Sequence, residues 1–445
     1  MLKLKLGILS LAFFFCSTVL TAQHELSLGM MHHLDQSSLI NPSFQQNCQF
    51  TIGIPSVYFN FYNGPFSFND VITVDGDTAR VNLPGLLTNI KEDNRLRLNS
   101  SIQPLYLRAQ LASNLQMTFG YAFKSYLYGD YNEALIRTIV DGNTQYLNQT
   151  VDLGLSFNMA AYHEVGVGLS LELFEDFRIG GRVKWLSGIV GVNTPKHSIS
   201  MYTDSTSFYP IEATTDYRLN TSGVFENYNS FIQPSFEDFA KNSGFGFDLG
   251  ASYNFMDKLH LAVSLLDIGS INWTANNENF TSQGTYTYEG LDVLDFIRSD
   301  TFEVINFLDT LEERFGMVES NEEFDTPLPR KLYLSGMYQV TDQLEAGGQF
   351  YTEFFQGNSE VAISLGANYK ISPALRLGAA YSIRNNKFDN LGINAVINTG
   401  FLTVYFVTDN ITALVRPYDS RNFNFRAGLN LCFGDQGAEL TEAGY

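Results

Sequence analysis

Charge is scarce in this chain. Of 445 residues only 17% are Asp, Glu, Lys or Arg, against ~25% in ordinary soluble domains. Basic residues are the scarcer half: 27 Lys plus Arg stand against 47 Asp plus Glu, a formal net charge of −20. A chain so short of cations offers no basic face to a phosphate backbone, which excludes nucleic-acid binding as its main role. Cysteine (3) and tryptophan (2) are few. No run of 18 apolar residues occurs after residue 22, so no helix of the mature chain is expected to span a membrane. Recognisable catalytic patterns are missing too. Gly-x-Ser-x-Gly, the nucleophile elbow, is absent, and Gly168-Leu169-Ser170-Leu171-Glu172 breaks it; no phosphate-binding glycine loop stands between a strand and a helix. Adjacent His32 and His33 lack the spacing of structural zinc ligands. No enzyme, metal site or cofactor is expected.

What the chain has in quantity is Phe (37), Tyr (24) and Gly (36). It begins with an address. Lys3 and Lys5 precede an apolar stretch from Leu6 to Leu20, and small Ala22 stands before Gln23. Residues 1–22 are therefore read as a secretory signal peptide, too short in its apolar part for a spanning helix.

Beyond it the dominant signal is alternation. Phe245, Phe247, Leu249, Ala251, Tyr253 and Phe255 share one parity, while Asp248, Gly250 and Ser252 take the other. Leu259, Leu261, Val263 and Leu265 repeat the pattern opposite His260; Leu375, Leu377, Ala379, Tyr381 and Ile383 repeat it opposite Arg376 and Arg384. Period two over such lengths is the signature of strands with one apolar face. These strands are longer than the ~5–6 residues of globular sheets and suit a tilted membrane crossing. Their polar parity carries Arg178, Arg182, Lys184, Asp248, His260, Arg376, Arg384 and Arg426, which are the candidates for a wet lumen. Aromatics gather near strand ends, as in an interfacial girdle.

Strands are expected at about 49–62, 95–112, 114–128, 157–173, 176–193, 243–255, 258–273, 329–340, 343–355, 359–371, 374–386, 390–398, 401–409 and 421–433, fourteen in all. The fold class predicted is all-β: a transmembrane antiparallel barrel, since only closure satisfies every backbone group in lipid. The barrel takes 49–433, and both ends of the chain fall on the periplasmic side with the short turns. Outer-membrane lipid is then its first partner. Residues 434–445 read as a mobile tail. The long connections 63–94, 129–156, 194–242 and 274–328 fall on the external side. In the first, Asp75-Gly76-Asp77 signals a hairpin. The last is rich in Asp and Glu, with only Arg298 and Arg314 as bases. Its Leu291, Leu294, Ile297, Val304, Leu308, Leu311 and Phe315 recur at helical spacing, which predicts amphipathic helices over the mouth.

The mature chain keeps Cys48 and Cys432. A closed barrel makes the first and last strands neighbours, so a disulfide between them is a candidate in an oxidising compartment. Parity opposes it: Cys48 aligns with outward Phe50, Ile52 and Ile54, Cys432 with inward Asn424, Arg426 and Asn430. A distortion near Pro55 leaves the register open.

The order of Gln36-Ser37-Ser38-Leu39-Ile40-Asn41-Pro42-Ser43-Phe44, Gly53-Ile54-Pro55, Asp75-Gly76-Asp77, Ile179-Gly180-Gly181-Arg182-Val183-Lys184 and Thr326-Pro327-Leu328-Pro329-Arg330-Lys331-Leu332-Tyr333-Leu334 resembles an uncharacterised Bacteroidota outer-membrane family, a domain of unknown function. More distantly the chain is similar to FadL-type transporters of hydrophobic compounds. In those proteins an Asn-Pro-Ala motif lies in an N-terminal hatch that plugs a 14-stranded barrel. Asn41 and Pro42 match it, and Ser43 replaces the alanine. The resemblance implies a hatch at 23–48 and a channel for small, hydrophobic ligands. It also implies an alternative: FadL-like barrels in these bacteria serve type IX secretion and gliding machinery, with surface or periplasmic protein partners.

Overall fold

The computed structural model describes residues 25–46, 48–75, 78–206, 209–224, 238–256, 258–288, 316–384 and 387–435. Fourteen long strands follow one another around a closed antiparallel cylinder: β1 Cys48–Asn63, β2 Asp93–Ala112, β3 Leu115–Asn132, β4 Leu155–Phe174, β5 Phe177–Thr203, β6 Ser243–Phe255, β7 Leu259–Trp273, β8 Arg330–Gln339, β9 Leu344–Phe355, β10 Asn358–Ser372, β11 Leu375–Arg384, β12 Lys387–Asn398, β13 Leu402–Thr408 and β14 Asn422–Asp435. Each pairs with the next. The ring closes where β1 pairs with β14, Phe50 opposite Phe433 and Phe61 opposite Phe423. Closure leaves no open edge in the cylinder.

Alternation becomes sidedness. Phe245 (59% exposed), Leu365 (65%), Leu169 and Val183 stand on the outer surface, while Ser252, Ser264, Ser364, Asn368 and Asn430 are buried inside. Two bulges modify the pattern. At Gly53/Ser56 the register slips, so Phe50 and Ile54 are exposed but Tyr58, Asn60 and Tyr62 are buried. Pro55, which lacks an N–H for the ladder, sits in the slip. On β7, Asp267 takes a positive φ of 59°, and past it Ile271 and Trp273 become buried.

The predicted strands and the observed ones agree within a few residues except β5, expected to end at 193 and running to Thr203, and the long connections are not simply loops. β5 runs 27 residues and continues past the cylinder. It pairs there with Ile211–Ser222, which pairs with Asn277–Tyr288. Val318–Ser320 adds to the latter, and Phe324–Pro327 pairs with the end of β7. The two flanks of the expected helical region, 277–288 and 318–327, are therefore extended. The Thr- and Tyr-rich composition of 277–288 suits a pleated surface. The helical spacing itself, at 291–315, lies outside the described residues. A hairpin of Ile72–Asp75 and Thr78–Val81 flanks the Asp-Gly turn, whose Gly76 and Asp77 are also outside them. A helix, Glu133–Asp141, capped by Asn132, occupies part of 129–156. Among the described residues no helix is long and apolar enough to cross a membrane.

Candidate functional site

Residues 25–46 pack inside the cylinder. Two short 3-10 turns, Leu28–Met30 and Asp35–Leu39, let a segment of small polar residues fold compactly with its apolar side chains to one side. Leu26, Leu28, Met31, Leu34 and Ile40 form a buried cluster with Tyr333, Tyr351 and Tyr405 of the wall. The backbone polar groups of so irregular a segment need partners, and inward side chains supply them. Asn368 Nδ2 donates to Met30 O (2.9 Å), Gln349 Nε2 to Leu26 O (3.2 Å) and Ser264 Oγ to Ile40 O (2.6 Å). The amides of Leu26 and Ser27 donate to the Asp409 carboxylate. Gln36 and Asn430 exchange two side-chain hydrogen bonds, of 2.6 and 2.8 Å.

Asn41, Pro42 and Ser43 lie close against the wall. Asn41 Nδ2 donates to the carbonyls of Ala251 (3.3 Å) and Val263 (3.0 Å). Its Oδ1 accepts from Ser43 N (2.9 Å) and Ser43 Oγ (2.8 Å), an Asx turn reinforced by a hydroxyl that alanine would not provide. Ser170 Oγ donates to Ser43 O. Gly180 and Gly250 leave space for the motif: a Cβ on Gly250 would come within 2.0 Å of Asn41 Oδ1.

Charge fastens the segment as well. Arg108 Nε donates to Asp35 Oδ1 at 2.6 Å, and its other nitrogens reach the carbonyls of Gln46 and Cys48 and the hydroxyl of Thr51. Arg426 pairs with Glu25 and lies over the Tyr58 ring. His32 packs against Phe44 and His260, with ring centroids 4.4 and 4.1 Å away. Burial holds the His32 imidazole well below the ordinary histidine range, helped by repulsion from His260 and His33. Burial does the same for His33, with Arg376 nearby.

Above the segment lies a chamber of about 110 Å³. Its floor includes Leu39 and Ile40, and its walls carry Lys124, Arg182, Lys184, Lys331 and Arg426 together with Glu25, Glu164, Asp248 and Asp267. Five cations share four carboxylates. Lys124 meets Glu164 at 2.7 Å, Arg182 meets Asp248 at 3.2 Å, and Lys331 meets Asp267 at 2.6 Å. Lys184 bridges Asp248 and Asp267. The bulge on β7 brings Asp267 beside the inward Asp248 of β6, whose Oδ1 accepts the Asp267 amide (2.8 Å). Tyr126 and Tyr162 line the chamber. They also belong to a buried aromatic cluster with Tyr128, Phe355 and Trp273. The Trp273 indole donates to Thr326 Oγ1 (2.9 Å) and lies where a Cβ on Gly188 or Gly191 would meet it.

Of the lumen candidates, Arg182, Lys184, Asp248 and Arg426 line this chamber. His260 is lower, against the segment. Arg178 is partly exposed and paired with Glu172, and Arg376 lies near Glu345. Arg384 ends β11, and its side chain is outside the described residues. Cys48 and Cys432 are joined by a disulfide across the β1–β14 seam. The parity argument against it does not bind Cys48, which is the first residue of its strand and is not held by the pleat on its N-terminal side. Sequence reasoning passed over Glu25, Asp35, Arg108, Glu164, Asp267 and Trp273. The first two sit in a stretch with no periodicity, and the ion-pair partners of Glu164 and Asp267 are brought together by the register of neighbouring strands. Among the described residues no cluster suits a metal ion.

The chain belongs to DUF5723, a family of unknown function, whose profile matches residues 42–409. No curated protein matches it. Among solved structures it is similar to the Pseudomonas putida toluene transporter TodX (11% identity, 93% of this chain and 98% of that one, TM-score 0.40). It is similar at the same identity to a Pseudomonas aeruginosa FadL homologue (94% and 100%, TM-score 0.40). The translocator domain of the autotransporter NalP from Neisseria meningitidis also resembles it (8% identity, 86% and 88%, TM-score 0.30).

Proposed function

We propose that this DUF5723 member is an outer-membrane channel for small molecules whose lumen is closed by residues 25–46 acting as a hatch. The observation that carries this reading is a closed cylinder that is apolar outside, polar inside, and filled on its short-turn side by a segment hydrogen-bonded to the wall but not part of it. An apolar outer band has no place in water and suits lipid. In that setting residues 1–22 are the removed leader, and the short turns and both ends of the mature chain face the periplasm. Passage requires the hatch to shift, since Asn41 and Pro42 lie directly against the wall.

The FadL-type resemblance suggests a hydrophobic cargo. The channel reading is tested by reconstituting the mature chain in liposomes and measuring swelling or uptake of small solutes, with and without residues 25–46. Deletion should raise permeability many-fold; an impermeable barrel in both forms, refolded and monodisperse, overturns the reading. A second reading, a binding or assembly component, is favoured by the aromatic layer that closes the opposite side of the chamber and by the strands extending beyond the cylinder. Stable partners that co-purify with the chain and are lost on deleting 274–328 would support it.

A further inference from the structure

We propose that Asp409 is the positioning residue that holds the N-terminal end of the hatch in place, and that the loop 409–421 puts this latch within reach of the external surface. The proposal rests on the hatch reading and names the part of the wall that controls it.

The latch begins where a strand stops early. β13 ends at Thr408, pairing with β12 only over 393–398 and with β14 only over 426–431. Beyond that level β12 and β14 meet through their side chains, Asn422 Nδ2 donating to Asn390 Oδ1 at 2.9 Å. The chain of β13 steps inward instead, and Thr408, Asp409 and Asn410 are all buried. Gly392 on β12 leaves the room for this step, since a Cβ there would stand 3.0 Å from Asp409 Cα and 2.9 Å from Thr408 O.

Three observations make Asp409 a latch. First, a buried carboxylate needs compensation, and here the hatch supplies it. Asp409 accepts the amides of Leu26 (3.2 Å) and Ser27 (2.8 Å), two charge-assisted bonds from consecutive residues. No cation pairs with Asp409 among the described residues, and Glu25 repels it. Withdrawing the hatch therefore strands the carboxylate. Second, the end it holds borders the chamber, because Glu25, next to Leu26, is one of the lining residues. The other end of the hatch continues into β1 at Cys48, so a swing about that end displaces Leu26 and Ser27 far more than Gln46. Third, the latch has an outer handle. Asn410 caps the helix Ile411–Val415. Its Oδ1 accepts from the amides of Thr412 (3.1 Å) and Ala413 (3.4 Å), and its Nδ2 donates to Asn422 O (3.0 Å). Past the buried Ala413, Val415 is 75% exposed and Tyr418 61%. One short helix and its cap connect the buried carboxylate to the outside.

The test compares Asp409→Leu with Asp409→Asn in the mature chain. Both side chains are close to the parent in volume, and only the amide keeps an acceptor oxygen for Leu26 and Ser27. In proteoliposomes, with heat-modifiable mobility confirming a folded barrel, Asp409→Leu should raise solute permeability several-fold and Asp409→Asn should stay close to the parent. Loss of packing alone would not separate the two. Val415→Cys, labelled before reconstitution with a long polyethylene glycol maleimide, should also raise permeability, and should add nothing in the Asp409→Leu background. The same label on Arg80→Cys, exposed on the hairpin of the first connection, should leave permeability unchanged. Parent-like permeability of Asp409→Leu, equal permeability of the two Asp409 variants, or a Val415 label without effect overturns the proposal. Deleting residues 25–46 reads the hatch separately: a leaky deletion beside a tight Asp409→Leu removes only the latch, and a tight deletion removes the hatch reading itself.

Discussion

Gly180 has no room for a side chain because Pro42 lies on it: a Cβ there would stand 2.2 Å from the carbonyl carbon and oxygen of Pro42. Gly180 belongs to β5, held in the ladder on both sides by Ser170 and Gly250, whereas Pro42 belongs to a segment outside the sheet. If one must move, the segment moves. Gly180→Val should therefore leave the barrel folded and raise solute permeability several-fold in proteoliposomes. Gly181→Val is the control, since its Cβ would meet nothing closer than 3.8 Å. Equal permeability in the two variants would contradict the contact.

The pair Asp35–Arg108 should be a second fastening. Arg108 is 1% exposed, and removing its carboxylate leaves a buried guanidinium with carbonyls and a hydroxyl only. Breaking such a pair costs about 3–5 kcal/mol, whereas replacing both partners by apolar groups is often neutral. Asp35→Asn should make residues 25–46 cleavable by added protease while the barrel keeps its heat-modifiable mobility. Asp35→Leu with Arg108→Leu should restore protection. Protection unchanged in Asp35→Asn would show that the hydrogen bonds elsewhere suffice.

How far the sequence foretold this depends on the range of the interaction. Strand positions follow from alternation between neighbours, so Phe245 to Phe255 and Leu375 to Ile383 announced their faces directly. The glycines that receive Asn41 and Pro42 were visible only as small residues on a strand. That Gly180 and Gly250 face each other across β5 and β6 is a consequence of register, which periodicity does not specify. Asp35 and Arg108 are likewise ordinary residues until the cylinder closes around the segment. The strands 211–222 and 277–288 were missed because their alternation is Thr-rich and weakly apolar, with Ile211, Ala213, Tyr217 and Leu219 forming only a short interrupted face.

Acid should loosen residues 25–46 from the wall. Burial depresses the folded-state pKa of His32 and His33 below ~6.5, the unfolded value. The unfolded or released segment then binds more protons in the window beneath pH ~6.5, so stability falls as pH drops through it, by up to ~1.4 kcal/mol per pH unit and group. The surroundings offer little relief: His260, Arg178 and Arg376 lie nearby, and the adjacent acids Glu172 and Glu345 are engaged by Arg178 and Arg376. Protease sensitivity of residues 25–46 should rise between pH 7 and pH 5, and His32→Gln with His33→Gln should flatten the profile. A profile identical in parent and double variant would assign the effect elsewhere.

The seam disulfide should matter for stability more than for shape. Cys48 and Cys432 are 384 positions apart in sequence, so the bond closes a very long loop in the unfolded chain, a constraint typically worth about 2–4 kcal/mol. The ladder between β1 and β14 holds the seam without it. Cys432→Ser should lower the unfolding temperature in detergent and leave the circular dichroism spectrum unchanged. Full reactivity of both thiols with maleimide in the unreduced, denatured mature protein would show that the bond does not form.

The chamber is closed on two sides, and the two closures should act in series. Trp273 fills the space beside Gly188 and Gly191 on the loop side, while Pro42 and its neighbours fill the turn side. On the channel reading proposed above, a solute must pass both, so resistance is set by whichever remains shut. Trp273→Ala removes the larger ring at a cost of about 3–5 kcal/mol. By itself it should change permeability little, because the hatch still blocks the path. Gly180→Val should give a moderate increase, limited by the aromatic layer. Together they should exceed the sum of the single effects in the same swelling assay, since each variant removes the constriction that masks the other. Strict additivity would mean that solutes bypass one of the two layers, and the Trp273 cluster would then be packing rather than a barrier.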